Sequence, residues 1–137
     1  MPTSRFGVRY KGPFADGRVE PMIRTKRIYE EATSDDGARI LVDRLWPRGV
    51  SREDAALDTW AKSVAPSDEL REWFDHDPER WAAFERRYHA ELAEKQTVLE
   101  EELLDVAGDR DVTLLYATTD TEHNNAVALR SYLLDER

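Results

Sequence analysis

Residues 38–43 (ARILVD) and residues 111–117 (DVTLLYA) decide the fold of this chain. Both runs are short and nearly continuously apolar, a pattern typical of strands that are buried on both faces. We therefore expect them to be neighbouring, or nearly neighbouring, parallel strands in the middle of a sheet. Helical segments separate the strand candidates, so the sequence predicts a single α/β domain with a mostly parallel sheet of about four strands, covered by helices.

The composition excludes several classes of protein. The chain has 137 residues, a formal net charge of −9 and no cysteine, which excludes disulfide scaffolds, thiol catalysis and thiolate metal sites. No apolar stretch approaches the roughly 20 residues of a membrane helix, and no secretory signal pattern opens the sequence. We therefore expect a cytoplasmic protein without a membrane partner. The 29 acidic residues against 20 basic ones make nucleic acid an unfavoured partner.

The chain is predicted to divide into an arm and a domain. Residues 1–21 hold three of the six glycines and three of the six prolines, and we interpret them as a flexible N-terminal arm. Residues 22–137 form the predicted domain. Within it, residues 22–30 alternate imperfectly and predict an edge strand or one with a solvated face. Residues 57–64 fit either a strand or a loop.

Capping residues mark where the helices begin. Ser51, Ser67 and Asp77 each stand before acidic or proline residues, a pattern typical of N-caps. The helix that follows Asp77 continues for about 30 residues, or roughly 45 Å, so we expect a bend near residues 93–97. A closing helix is predicted over residues 122–134, with residue 119 or 120 as its cap. The long helix carries an apolar stripe made of Trp81, Phe84, Tyr88, Leu92, Leu99, Leu103 and Val106.

Candidate functional residues follow the two central strands. In open α/β sheets, ligands bind beyond the carboxyl ends of parallel strands, which selects residues 43–49 and residues 118–125. The second segment includes the start of a predicted helix, whose free N–H groups favour an anion. If the two strands are parallel and close, both segments line one crevice. The candidates are Asp43, Arg44, Trp46 and Arg48 in the first segment, and Asp120, His123 and Asn124 in the second.

The residue types suggest a role for each group in that crevice. Arg44 and Arg48 suit a bidentate clamp on a carboxylate or phosphate. Asp43 and His123 are the candidate catalytic pair, because both can accept and return a proton. His123 is expected in the first turn of the closing helix, where the dipole favours the neutral imidazole.

The other candidates have structural alternatives. Asp120 and Asn124 would orient the ligand, although Asp120 equally suits an N-cap. Trp46 is more often a packing residue than a binding platform. His76 lies at a junction between helices, where it either contacts the ligand or bonds a backbone carbonyl. His89 is expected on the solvent-exposed side of the long helix.

No diagnostic cofactor or metal motif is present. The sequence lacks the Gly-rich phosphate loops, HExxH and GxSxG. Asp43, His76, Asp120 and His123 offer oxygen and nitrogen ligands, but their spacing is not that of a metal site. We therefore predict no metal ligand, and the sequence specifies neither a cofactor nor an oligomeric state.

A set of short motifs resembles a known family. They are residues 42–49 (VDRLWPRG), 60–62 (WAK), 65–67 (APS), 70–76 (LREWFDH), 114–116 (LLY) and His123-Asn124 with Ala126. Together they resemble the YeaO-like branch of the DUF488 family of small bacterial and archaeal proteins, over a span from near Arg24 to Leu133. The resemblance implies an α/β fold and a cytoplasmic location, and it implies no activity.

Two functions fit the crevice. One is an enzyme that acts on a phosphorylated or carboxylated small molecule, and the other is a non-catalytic module that senses such a ligand. Nucleic-acid binding is a third function, which the net charge disfavours. A catalytic crevice should hold an acid or histidine with a strongly perturbed pKa beside a charge partner. Without a bound anion, we expect Asp43 and Asp120 to lie among the arginines, each with a lowered pKa.

Overall fold

Four parallel strands form the sheet in the computed structural model, which describes residues 22–135. They are β1 (Ile23–Arg27), β2 (Ala38–Leu41), β3 (Thr59–Trp60) and β4 (Val112–Tyr116). Their order across the sheet is β1–β4–β2–β3, so β2 and β4 are central and β1 lies at an edge. β2 pairs with β4 in parallel, with Ala38 opposite Val112. The predicted α/β fold and the central pair of parallel strands are confirmed. The predicted arm lies outside the described residues.

The helices begin where the capping residues predict, up to the closing helix. Ser51 and Ser67 accept hydrogen bonds from backbone N–H groups of the helices that follow them, and Asp77 caps a short turn in the same way. No helix within residues 22–135 is long and apolar enough to cross a membrane. The helices are α1 (Arg52–Ala55), α2 (Asp68–Phe74), α3 (Trp81–Ala93), α4 (Gln96–Leu99), α5 (Asp105–Ala107) and α6 (Asn125–Asp135). Shorter turns are Ser34–Asp36, Lys62–Val64 and Pro78–Arg80, and Glu100–Leu104 is a π-helical turn.

The long helical segment bends where predicted and changes its register once. α3 ends at Ala93 and α4 begins at Gln96, which confirms the expected bend. The buried stripe then continues to Leu103, but Ala107 is buried beyond it and Val106 is partly exposed. The π-helical turn explains the difference, because its wider turn rotates the residues that follow.

The sheet has a large core on one face and a small one on the other. Successive residues of a strand point to opposite faces, so Ile40 and Leu114 join the core formed with α2, α3 and α6. Leu41 and Leu115 join the smaller core, which α1 and the loop after β2 cover. In the loop after β2, Leu45, Arg48 and Gly49 are exposed to solvent.

The closing helix begins later than predicted. α6 starts at Asn125 because the Asp120 carboxylate accepts the backbone N–H groups of Glu122 and His123, at 3.0 Å each. These bonds hold both residues in a turn outside the helix. The Asn124 side chain then accepts the N–H of the third helical residue at 2.9 Å. The cap predicted at residue 119 or 120 is therefore wrong, and His123 precedes the helix.

His89 is not solvated, contrary to the prediction. Its Nε2 lies 2.8 Å from the carbonyl oxygen of Ala128, and its ring meets the Tyr132 ring edge-on at 5.3 Å. Since a carbonyl only accepts, Nε2 carries the proton. α6 packs against this side of α3 and turns an apparently exposed position into a contact between helices.

Candidate functional site

A cleft of about 780 Å³ opens at the carboxyl ends of the strands. Its walls come from the segments after β1, β2 and β4 and from the end of α2. Asp120 is not among the described residues that line it. The predicted site residues that do line it are Asp43, Arg44, Trp46, Arg48, His76, His123 and Asn124.

Asp43 joins the ends of the two central strands. Its Oδ2 accepts the backbone N–H of Ala117 at 3.0 Å, and its carbonyl accepts the Trp60 indole N–H at 2.8 Å. Burial raises the pKa of the Asp43 carboxyl, and hydrogen bonds from Asn125 and Ala117 oppose that rise without cancelling it. The prediction that Asp43 has a lowered pKa is therefore wrong, because its partners are neutral groups rather than arginines.

Arg44 pairs with a residue of α2 instead of Asp43. Its Nε lies 3.2 Å from Oδ1 of Asp68, which also receives the Arg71 guanidinium at 3.1 Å. The Arg44 Nε is buried, yet its geometry to that oxygen does not make a hydrogen bond, so it has no hydrogen-bond acceptor among the described residues. A buried donor without an acceptor is rare, although the Asp68 carboxylate balances the charge of this one.

Arg48 presents an unpaired positive charge to the cleft. Its side chain is exposed, and none of the described residues gives it a hydrogen-bond or ion-pair partner. Only its backbone is engaged, because its carbonyl accepts the Tyr29 hydroxyl at 2.8 Å. The loop is therefore held in place while the guanidinium stays available.

Asp120 and His123 form a pair at the margin of the cleft. The His123 Nδ1 lies 3.0 Å from Oδ2 of Asp120. Because a carboxylate only accepts, the Nδ1 that faces it carries a proton. The backbone N–H of Glu122 lowers the pKa of Asp120, against the effect of burial, and the N–H and ring of His123 add to the lowering. The direction predicted for Asp120 is confirmed, although its principal partners are backbone groups.

Two other candidates are held by structural contacts. Asn124 is only 3% exposed, and its amide donates to the Asp120 carbonyl while capping α6. Trp46 donates its indole N–H to the Val50 carbonyl at 2.7 Å and packs edge-on against Trp60 at 5.3 Å. Both residues shape the wall, but neither has a polar group free for a ligand.

His76 occupies a strained backbone position. It and Asp75 have φ angles of 55° and 49°, in the left-handed region, directly after α2. Residues other than glycine rarely adopt this conformation, and it concentrates at functional sites. The His76 side chain is exposed and lines the cleft.

Replacing His76 with glycine is expected to leave the free energy of unfolding unchanged or raise it by up to about 1.5 kcal/mol. Relief of the left-handed strain stabilises the folded state by about 1–2 kcal/mol. The greater freedom of glycine in the unfolded chain destabilises the fold by about 0.4–1 kcal/mol. Urea unfolding measures the difference. The matched control is His89→Gly, which should lower stability by about 1–2 kcal/mol through lost helix propensity and the lost bond to α6. Equal losses in the two variants would show that the His76 side chain stabilises the fold.

Sequence reasoning missed several residues of the cleft, among them the polar side chains of Tyr29, Arg71, Glu72 and Asp75. Tyr29 follows the last residue of β1 and lines the cleft. The rule that ligands bind beyond the carboxyl ends of parallel strands also selects Tyr29, once β1 is known to end at Arg27. Arg71 carries no such signal, because α2 brings it to the cleft and only the packing of that helix reveals its position.

The described residues hold no cluster suited to a metal ion. No group of three or more histidine, aspartate or glutamate side chains converges within residues 22–135. Asp43, His76 and His123 share the cleft walls without forming a ligand set.

The comparisons with known proteins agree on one family. A family model described as "Inactive DUF488-N3 subclade" matches residues 22–137. The chain belongs to the DUF488 family. It is 44% identical over 111 residues to the uncharacterized protein YeaO of Escherichia coli (strain K12), covering 81% of this chain and 96% of that protein. It is 41% identical over 114 residues to the uncharacterized protein Rv3073c of Mycobacterium tuberculosis (strain H37Rv), covering 83% and 95% of the two chains. No solved structure matches the chain significantly.

The DUF488 match contains the whole cleft. Every residue that lines the cleft lies between Tyr29 and Asn125, inside the matched range, whereas the predicted arm lies outside it. The cleft therefore belongs to the DUF488 domain itself.

Proposed function

We propose that this chain is a non-catalytic module that binds a small anionic molecule, a carboxylate or a phosphate compound, in the cleft. The unfilled hydrogen-bonding capacity of Arg44 and Arg48 carries the proposal. The Arg48 guanidinium has no partner among the described residues, and the Arg44 guanidinium shares its one carboxylate, Asp68, with Arg71. An anion is the ligand that satisfies both, because guanidinium groups bind carboxylate and phosphate oxygens bidentately. The cytoplasm is the proposed location.

Three arginines and three carboxylates (Asp43, Glu72 and Asp75) line the cleft, and none of these carboxylates pairs with Arg48, so the room for an anion lies beside Arg48. Asp43, the carboxylate nearest to the arginines along the chain, is turned toward the backbone N–H of Ala117. Asp68 is shared between Arg44 and Arg71, so one carboxylate serves two guanidinium groups. A bound anion would complete the charge balance around Arg48.

Two observations favour binding over catalysis. The raised pKa of Asp43 follows from burial, and its hydrogen-bond partners are neutral, so it lacks the charge partner of a typical catalytic acid. The matching family model is described as inactive. The Asp120–His123 pair is the feature that would serve an enzyme, and turnover of a bound compound would contradict the proposal.

Arg48→Ala is expected to weaken the binding of inorganic phosphate or citrate by about 10- to 100-fold, since a hydrogen bond to a charged group is worth about 1.5–3 kcal/mol. Isothermal titration calorimetry measures the affinity. The melting temperature without ligand should not change, because the side chain is exposed and unpaired.

Arg86→Ala is the matched control for this experiment. Arg86 is an exposed arginine of α3 outside the cleft lining, so its loss removes the same charge without touching the proposed site. Equal weakening in both variants would indicate a general charge effect and contradict a site at Arg48. Phosphate binding that Arg48→Ala does not weaken would refute the proposal. Binding of DNA with a steep salt dependence would favour the nucleic-acid function instead.

A further inference from the structure

Tyr29 holds an exposed aromatic ring at the mouth of the cleft. Tyr29 is 46% exposed, which is a large fraction for an aromatic residue. Its hydroxyl donates to the Arg48 carbonyl at 2.8 Å. The guanidinium carbon of Arg27 lies 4.8 Å from the ring centre and covers one face. No other cation and no aromatic ring among the described residues contacts Tyr29, so the exposed part of its ring is available to a second planar group.

The support behind this ring is rigid. Arg27 donates to the carbonyl oxygens of Ala117 and Thr118, at 2.9 Å and 2.8 Å, and so is fixed to the end of β4. Tyr29 is thus held from behind by a fixed cation and at its tip by the backbone of Arg48. A ring fixed in this way loses little conformational entropy when a ligand stacks on it.

Exposed apolar surface concentrates at the same cleft as the unpaired cation. Among the described residues, the large apolar side chains that are exposed are Met22, Tyr29 and Leu45. Tyr29 and Leu45 line the cleft, and Leu45 is 64% exposed. Exposed apolar surface beside an unpaired guanidinium is what a ligand with both a ring and a charge would cover.

We propose that the ligand of the cleft carries a planar aromatic ring as well as its anionic group, as a nucleoside monophosphate or an aromatic carboxylate does. The ring stacks on the exposed part of the Tyr29 ring, and the anionic group binds the guanidinium of Arg48. The bond between the Tyr29 hydroxyl and the Arg48 backbone keeps the two recognition elements together. This inference rests on the proposed anion-binding function.

Calorimetric titration with two pairs of probes tests it. Adenosine monophosphate is compared with ribose 5-phosphate, and benzoate is compared with acetate, so that each pair differs by a ring and the two pairs distinguish phosphate from carboxylate. In at least one pair, the aromatic member should bind the wild-type protein about 10-fold more tightly, as expected for one ring stacked on an aromatic side chain.

Two substitutions locate the effect. Tyr29→Leu keeps apolar bulk but removes the ring, and it should abolish the preference for the aromatic member over the non-aromatic one. Because this variant also loses the bond to the Arg48 carbonyl, the readout is the ratio of affinities within each pair. Tyr29→Phe keeps the ring and should retain the preference. Since the Tyr29→Leu variant also loses the hydroxyl, its Tyr29→Phe counterpart shows whether the hydroxyl alone matters. Melting temperatures of both variants verify the fold.

The outcomes separate this inference from the proposed function. Equal binding of both members of each pair, or a preference that survives in Tyr29→Leu, would overturn the aromatic inference while Arg48-dependent anion binding stands. Absence of Arg48-dependent binding of every probe, including inorganic phosphate, would overturn both.

Discussion

Asp36→Ala should lower the free energy of unfolding by about 3–5 kcal/mol, because it leaves a buried cation without its partner. Arg39 is only 5% exposed, and its guanidinium lies 2.6 Å from the Asp36 carboxylate. Lys26 lies 3.1 Å from the same carboxylate, and the hydroxyl of Thr33 donates to it at 3.1 Å. Removing the carboxylate would therefore disrupt a buried network behind β2, which chemical denaturation measures directly.

Acid should weaken the same network in the wild-type protein. Burial alone would raise the pKa of Asp36, but hydrogen bonds from the Thr33 backbone, Lys26 and Arg39 outweigh it and lower the pKa from 3.8 to about 2. A lowered carboxyl pKa stabilises the fold fully above the unfolded value near 3.8, and the contribution is lost as the pH falls toward 2. The shift in the pKa of Asp36 corresponds to about 2 kcal/mol in the free energy of unfolding. The difference in the free energy of unfolding between wild type and Asp36→Ala should therefore become smaller as the pH falls from 6 to 2.5.

Asp35→Ala is the matched control for the Asp36 variant. Asp35 is the neighbouring carboxylate, and its side chain is exposed. Its removal should change stability by less than about 0.5 kcal/mol at any pH. A pH-independent loss in Asp36→Ala would show that packing, rather than the ionised carboxylate, accounts for its effect.

Gly37→Ala is expected to cost at least about 3 kcal/mol, combining backbone strain with a steric clash. Gly37 has φ 66° and ψ −132°, a conformation that residues with a side chain rarely adopt. A Cβ atom there would lie 2.2 Å from the carbonyl oxygen of Asp111, which also accepts the Ala38 N–H at 2.8 Å. The backbone must move apart, and the bond that joins the starts of β2 and β4 is lost.

Gly108→Ala separates the two causes of that loss. Gly108 has φ 61° and ψ −125°, close to the backbone angles of Gly37, but an added Cβ meets nothing within 4 Å. It should therefore show only the conformational cost, about 1–3 kcal/mol. Guanidinium unfolding of both variants gives the difference, which measures the clash with Asp111. Equal losses would mean that the chain absorbs the clash without cost.

The apolar runs predicted the sheet, but they concealed its charged contact. Residues 38–43 form a nearly continuous apolar run that predicts a buried strand, yet Arg39 within them is buried against Asp36. Asp36 lies in residues 34–37 (SDDG), whose composition is typical of a turn. Asp36 lies in a turn and Arg39 in a strand, three residues later. No periodic pattern in the sequence predicts such a contact. β3 was ambiguous for a simpler reason, since a strand of two residues carries no alternation.

The sequence predicted the position of the cleft, but it did not predict the hydrogen bonds of the polar groups in and beside it. The rule about carboxyl ends selected the loops after β2 and β4, and residues of both line the cleft. The rule does not report what each polar atom already bonds. Asp43 is bound by the Ala117 N–H and Asp120 by the N–H groups after it. The availability of Arg48 likewise became visible only when its neighbours were placed.

The order of the strands bears on how the chain is made. β4 separates β1 from β2 in the sheet, but it is the last strand to leave the ribosome. At translation speeds of about 5–20 residues per second, roughly 4–18 s pass between the end of β1 and the end of β4. During that interval the facing edges of β1 and β2 have no common neighbour and are open to pairing with other chains. An mRNA truncated before the codon for residue 112 therefore yields an aggregation-prone fragment rather than a smaller stable protein.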